Sequence, residues 1–276
     1  MGAQGGGRTR MTWQQRCVVF LCLFLAPPLA WPVRAADMKE LRVCADPDNL
    51  PFSNQQLQGF ENHIAALVAR ELGTSISYTW QPQRRGFVRG TLNAERCDLI
   101  IGVPTGYDLV LWTKPYYRST FVVVSRKERG LHIASLDDPG LKQLRIGVHQ
   151  NSPADIMLGN QGMVHNVVGY SIWYDGKERY AGEIVEDVAA GKIDVAIVWG
   201  PAVGYFVQQQ SAVLAMEPIA VPRPDDGSTV YTISMGVREA DEPFKAQVEE
   251  VISKKQGEIR QILEKYGVPL VADKGL

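Results

Sequence analysis

The chain has 276 residues, with 29 basic and 30 acidic side chains, a formal charge of −1 and 45% hydrophobic residues. Such a chain can build two lobes of about 100 residues, each with its own core. The near-neutral balance excludes a binder that grips nucleic acid through clustered basic charge.

Residues 1–35 read as an export signal. Arg8, Arg10 and Arg16 precede an apolar run from Cys17 to Ala26, Pro27 and Pro28 end it, and a small-residue site follows at Val33, Arg34 and Ala35. The run is shorter than the about 20 residues a bilayer requires, so it reads as a Sec-type leader cleaved after about Ala35. Cleavage removes four arginines and no acid, taking the net charge from −1 to −5. No later run is long enough and free enough of charge to span a membrane, so the expectation is a soluble periplasmic protein.

Leu41 to Ala45 reads as a strand, with Asp46, Pro47, Asp48 and Asn49 as the turn at its carboxyl end. Phe60, Ile64, Leu67, Val68 and Leu72 recur at helical spacing, and Gly73 is the stop. Ser75 to Trp80 is a second strand. A helix from about Phe87 to Ala94 leads into the apolar strand CDLIIGV, which breaks at Pro104, Thr105 and Gly106. Strand, helix, strand, helix, strand is a parallel α/β pattern, and open sheets of that kind bind at the carboxyl ends of their strands. After an aromatic-basic knot, Lys114 to Arg118, the chain resumes as the β-rich run Ser119 to Ser125, and Thr120 to Arg126 crosses to a second lobe.

There, Ser135 and its following acids start a helical turn, and Leu144 to Val148 is a strand. Asn151, Ser152 and Pro153 read as a cap and a first helical residue. Tyr170 to Tyr174 is an aromatic strand, and Ile184 to Ala190 is a helix feeding Ile193 to Trp199, where the CDLIIGV signature returns as KIDVAIVWGPAVGYF. After Val221 to Pro224, a strand from Val230 to Val237 returns to the first lobe, closed by two helices, Glu242 to Ser253 and Gly257 to Tyr266. The expected division is 36–122 with 229–276 for the first lobe and 123–228 for the second.

Two cysteines lie beyond the leader, Cys44 and Cys97, both in or beside strands of the first lobe. In an oxidising compartment an isolated pair points to a disulfide before a metal or redox site. Loop entropy would make it worth about 4 kcal/mol. Two buried thiols are the alternative.

The order of LRVCADPDNLPFS, GFENHIAALVARELG, CDLIIGV, KPYYRSTFVVV, SLDDPGLKQLRIGV and KIDVAIVW resembles the periplasmic solute-binding proteins of the amino-acid type, over nearly all of 39 to 270. The resemblance implies an α/β, two-lobed periplasmic binding protein-like fold (type II), with two domains joined by two crossing strands and a ligand cleft between them. Binders of free amino acids carry an Arg soon after the CDLIIGV strand and an Asp after the second-lobe strand. Here Tyr107, Asp108 and Leu109 stand at the first place, and Trp199 and Gly200 at the second. The charge-assisted pairs that select an amino acid are therefore missing. A narrower likeness, carried by the stretch from Gln81 to Asp108 with RVCADPDNLPFSN, TKPYYRST and YGVPL, is to the MxaJ/XoxJ branch associated with quinoprotein methanol dehydrogenases.

Candidate cleft residues follow from strand ends. Arg84 and Arg85, with Phe87, precede or open a helix and could hold an anion or a partner's carboxylates, or be a solvated basic turn. Asp46, Asn49 and Phe52 follow the first strand, Thr105 the third. Tyr116 and Arg118, with Trp199 and Tyr205 at the equivalent place in the second lobe, could stack a ligand or anchor a partner, or serve as hinge and core packing. Ser152 could present donors to an anion, although capping explains it. Tyr170, Trp173 and Tyr174 read as core. Asp46, Asp48 and Asn49 fail the calcium-loop pattern, with Pro51 for Gly and Leu57 for Glu. His63, His132, His149 and His165 show no ligand spacing and read as surface or core.

No metal, cofactor or catalytic residue is expected. The likeness implies a non-catalytic accessory of a pyrroloquinoline-quinone (PQQ)-dependent methanol dehydrogenase system. Its partners would be the dehydrogenase large subunit, the cytochrome c and a small ligand in the cleft, with no nucleic acid and no membrane insertion, on a monomer. The alternative is a receptor for an importer of a small solute other than a standard amino acid.

Overall fold

A computed structural model of the protein describes residues 1–3, 5, 38–171, 182–223 and 227–272. Chain contacts divide the protein into Met1–Ala36 and Asp37–Leu276. Most of the expected leader and its cleavage point lie outside the described residues, as do Trp173 and Tyr174. Every element below belongs to the second unit.

The first sheet starts with β1 (Glu40–Ala45), whose Leu41, Val43 and Cys44 are buried on both faces, as a central parallel strand requires. A two-strand ribbon, β2 (Asp48–Asn49) with β3 (Ser53–Asn54), leads to α1 (Phe60–Leu72). That helix buries Phe60, Ile64, Leu67 and Val68 on one face and ends at Gly73, whose φ of 69° suits a residue without Cβ. Next come β4 (Ser75–Trp80), the single turn α2 (Phe87–Gly90), β5 (Leu99–Pro104), β6 (Leu111–Trp112) and β7 (Tyr117–Ser119). The chain then enters the second sheet with β8 (Phe121–Arg126).

The second lobe adds β9 (Ile146–His149), α3 (Pro153–Asn160), β10 (Val167–Tyr170), α4 (Glu183–Ala189), β11 (Val195–Trp199), α5 (Gly200–Gln209) and β12 (Leu214–Pro218). Its sheet order is β10-β9-β11-β8-β12. The chain returns through β13 (Tyr231–Val237) and finishes with α6 (Glu242–Lys265), so the first sheet reads β4-β1-β5-β13-β6, with β7 also on β13. In each sheet three neighbouring strands are parallel, β4, β1 and β5 in one and β10, β9 and β11 in the other. An antiparallel strand flanks each set. The expected α/β fold with two lobes is what the chain adopts.

Two expectations change in detail. The crossing strand is broken at Thr120, because Ser119 pairs with Tyr231 in one sheet and Phe121 with Trp199 in the other. The helix expected to Ala94 stops after one turn, since Thr91 and Asn93 both turn their N–H groups back to the Val88 carbonyl. The two closing helices keep their expected division, since the two halves of α6 meet at a kink where Lys255 takes φ −113° and ψ 15°, between Ser253 and Gly257. Of the expected aromatic strand Tyr170 to Tyr174, Tyr170 ends β10 (Val167–Tyr170), and 172–174 lie outside the described residues.

Cys44 and Cys97 are joined as a disulfide across β1 and the approach to β5, with Cα atoms 5.5 Å apart, inside a small core with Phe87, Leu92, Ile100 and Val110. Beside it the buried Asp98 carboxylate takes Arg42 Nη2 at 2.6 Å and Arg238 Nη2 at 3.1 Å. Although burial opposes ionisation, the bonds from Arg42 and Arg238 hold this carboxyl below its ordinary range. The pairing ties β1, β5 and the end of β13.

The lobes meet through backbone. On α5, a Cβ placed on Gly204 would lie 2.0 Å from the Gly267 carbonyl oxygen, and one on Gly200 would lie 2.2 Å from Pro269 Cγ. Tyr205 stacks on Tyr266 beside this contact, with ring centroids 5.4 Å apart. Only glycine allows the second-lobe helix so close to the segment that follows α6. Gly204→Ala should therefore lower stability by about 2 kcal/mol through forced separation of the two segments, read as a lower urea midpoint. An unchanged midpoint would show that the contact yields freely.

Candidate functional site

The site begins with one carboxylate. Asp46 follows β1, and its two oxygens accept from the Asp48 N–H at 2.9 Å and the Gln83 N–H at 2.6 Å. It thereby fastens the loop after β4, which carries Arg84, to the turn after β1, which carries Asn49. Phe52 is fixed beneath them by Phe60, centroid to centroid 5.1 Å.

The second lobe brings its own strand ends. His149 closes β9 and is 7% exposed. Trp199 closes β11 and Phe121 opens β8, their rings 5.7 Å apart, and Tyr231 at the start of β13 completes a triangle at 5.3 and 5.6 Å. Together the two sets enclose a cavity of about 430 Å³ between the lobes. Its walls are largely apolar or aromatic, with Phe52, Phe121, Trp199, Pro47, Pro82 and Pro153. Asp46, Asp48 and Arg84 are its charged groups among the described residues. A cavity of that size takes a small organic molecule or a large side chain of a protein segment.

Six of the expected residues line this cavity: Asp46, Asn49, Phe52, Arg84, Ser152 and Trp199. Ser152 is there as a cap. Its hydroxyl accepts from the Asp155 N–H, and the Asp155 carboxylate takes the Asn151 N–H, so these donors are satisfied within the loop. Arg85 and Phe87 line a separate cavity on the flank of β5, which Arg84 borders as well.

The other four lie elsewhere. Thr105 is turned to the return strand, bonding the Thr232 carbonyl through its N–H and Ser234 Oγ through its hydroxyl. Tyr116 and Arg118 border a narrow space beside Gln256 and Arg260, because pairing with β13 turns them toward α6. Tyr205 belongs to the contact with Tyr266. Closeness in sequence to a strand end does not say which face a side chain takes.

Sequence reasoning missed His149, Gln150, Phe121 and Pro82 in the cavity wall. His149 ends its strand as Asp46 follows its own, and that position was the available signal. Burial lowers its imidazole to about 4, so it is neutral at neutral pH. Glu61, in the first turn of α1, was also passed over. Its carboxyl sits over Gly102, where an added Cβ would be 2.2 Å from Oε1. Burial, and then the charge of Asp46, push it up to about 8. Among the described residues no group of three or more His, Cys, Asp or Glu could hold a metal ion.

With this geometry, comparison with known proteins is decisive. The profile of the bacterial extracellular solute-binding proteins, family 3, matches residues 41–269. The chain belongs to this family. Protein MoxJ of Methylorubrum extorquens is 31% identical over 253 residues, which cover 85% of this chain and 83% of MoxJ. The crystal structure of the periplasmic binding protein XoxJ from Methylobacterium extorquens AM1 matches with TM-score 0.71 at 38% identity, over 84% of this chain and all of that one. The crystal structure of MxaJ from Methlophaga aminisulfidivorans MPT matches with TM-score 0.74 at 26% identity, over 84% and 100%. The expected placement in the MxaJ/XoxJ branch therefore holds.

Glu61 makes the site's stability dependent on pH. Between its ordinary 4.5 and about 8 the folded chain keeps a proton that the unfolded chain has lost. Stability from this group is complete below 4.5, falls as pH rises through that window and levels off above it. Glu61→Gln should flatten that slope and raise the urea midpoint above pH 8 relative to the parent. A slope unchanged by the substitution would refute the assignment.

Proposed function

We propose that the protein is a non-catalytic periplasmic accessory of a PQQ-dependent methanol dehydrogenase system, which grips the dehydrogenase or its immature form in the inter-lobe cavity and assists maturation or activation. Membership beside MoxJ, XoxJ and MxaJ supports the system. The observation that carries the mode of binding is the cavity wall, Phe52, Phe121 and Trp199, in a family whose amino-acid binders place charges.

A free amino acid entering such a space loses its hydration and needs a cation for its carboxylate and an acid for its ammonium. Asp46 already accepts two backbone donors, and Trp199 stands where the acid of amino-acid binders would be. An aromatic or aliphatic side chain of a protein segment needs neither. Tyr, Trp and Arg in a desolvated hollow are the usual anchors of protein recognition, and Trp199 with Arg84 at the rim supplies two of them. The dehydrogenase large subunit is the principal partner in this reading, with its cytochrome c as a second. The size of the cavity also supports the other reading, a receptor for a small solute other than a standard amino acid.

Calorimetric titration with the same organism's dehydrogenase, apo and PQQ-loaded, separates them. Saturable binding, weakened tenfold or more by Trp199→Ala and less by Arg84→Ala, is the expected result. Preference for the apo form would mark maturation. No binding to either form, together with a small solute that raises the melting temperature, would establish the receptor instead.

A further inference from the structure

The second cavity, about 510 Å³, lies wholly on the first lobe. Its floor is Val88, Ile100, Val103 and Leu109, and its rim carries Arg84, Arg85 and Arg89, with no carboxylate among its lining residues. The sequence explains the imbalance, since no acid occurs between Glu71 and Glu95 although the whole chain is slightly acidic. Arg85 and Arg89 are exposed and form no ion pair or side-chain hydrogen bond among the described residues. An apolar floor would be covered by any neutral body, but three guanidinium groups around it select the charge. The Arg85 and Arg89 guanidinium groups are planar forks, a shape suited to pairing with a carboxylate or sulfonate and to stacking on an aromatic ligand.

We propose that this cavity is a second binding site, for a small organic anion with an aromatic or branched apolar body, seated on the β5 flank with its acid group on Arg85 and Arg89. The site is independent of the inter-lobe reading, because Trp199 and Phe121 do not touch it. It adjoins the inter-lobe cavity through Gln83 and Arg84, which line both. The loop that Asp46 fastens therefore forms a wall of each.

Anilinonaphthalene sulfonate is the probe, and N-phenylnaphthylamine, which lacks its acid group, is the control. Fluorescence titration of the full chain should show saturable binding of the sulfonate. The double substitution Arg85→Ala, Arg89→Ala should weaken it at least tenfold while leaving the uncharged analogue within twofold. Trp199→Ala should leave sulfonate affinity within twofold. Arg85→Glu serves as a second variant, with a loss at least as large as Arg85→Ala alone. No saturable binding, equal affinity in the double variant, or a loss caused by Trp199→Ala would each overturn the proposal.

Discussion

A single residue joins the lobes on the outward path. Thr120 sits between β7 in one sheet and β8 in the other, its hydroxyl donating to the Thr229 carbonyl at 2.8 Å and its own carbonyl accepting from Gly200 N–H at 3.1 Å. These bonds hold the outgoing strand, the returning strand and the start of α5 at one point. Phe121, Tyr231 and Trp199 each adjoin one of those three segments, so their rings meet as a triangle at the floor of the cavity. The glycine contact between α5 and the segment after α6 reinforces the same junction. Without this knot the two sets of parallel strand ends would have no fixed relation, and no shared cavity.

Charge within the cavity is restrained by the same packing. His149 is kept neutral by burial, and Asp46 spends both oxygens on backbone donors. Arg84 alone of the described lining residues offers a positive charge. A space so arranged has little to offer a small zwitterion and much to offer an apolar side chain, since unpaired buried charge is costly while apolar burial is favourable. The cations of this region stand instead on the outer side of the Gln83–Arg84 segment, where the second cavity opens.

Much of this was legible in the sequence for a physical reason. Strands such as β1, β5 and β11 are covered on both faces, so they appear as short apolar runs, and their carboxyl ends mark where ligands can reach. Cys44 and Cys97 could be paired because both fell on those runs. Trp199 was legible as an uncharged residue at a place where relatives carry charge. What the residues could not reveal was direction: Thr105, Tyr116, Arg118 and Tyr205 are close to strand ends, yet β13 and α6 turn them from the cavity. His149 looked inert because its value lies in a neighbour, Trp199, fifty positions on. The two closing helices were legible because Gly257 is a helix stop, and the backbone leaves the helical region just before it, at Lys255.

The central claim is that the inter-lobe cavity receives a segment of the dehydrogenase. Hydrogen exchange on this protein, alone and with the apo dehydrogenase, tests it most directly. The account predicts slowed exchange at Asp46 to Phe52, Gln83 to Arg84, His149 to Asn151 and around Trp199, with the outer face of α6 unchanged. Protection confined to α6 or to β12, with the cavity loops exchanging as in the free protein, would contradict it.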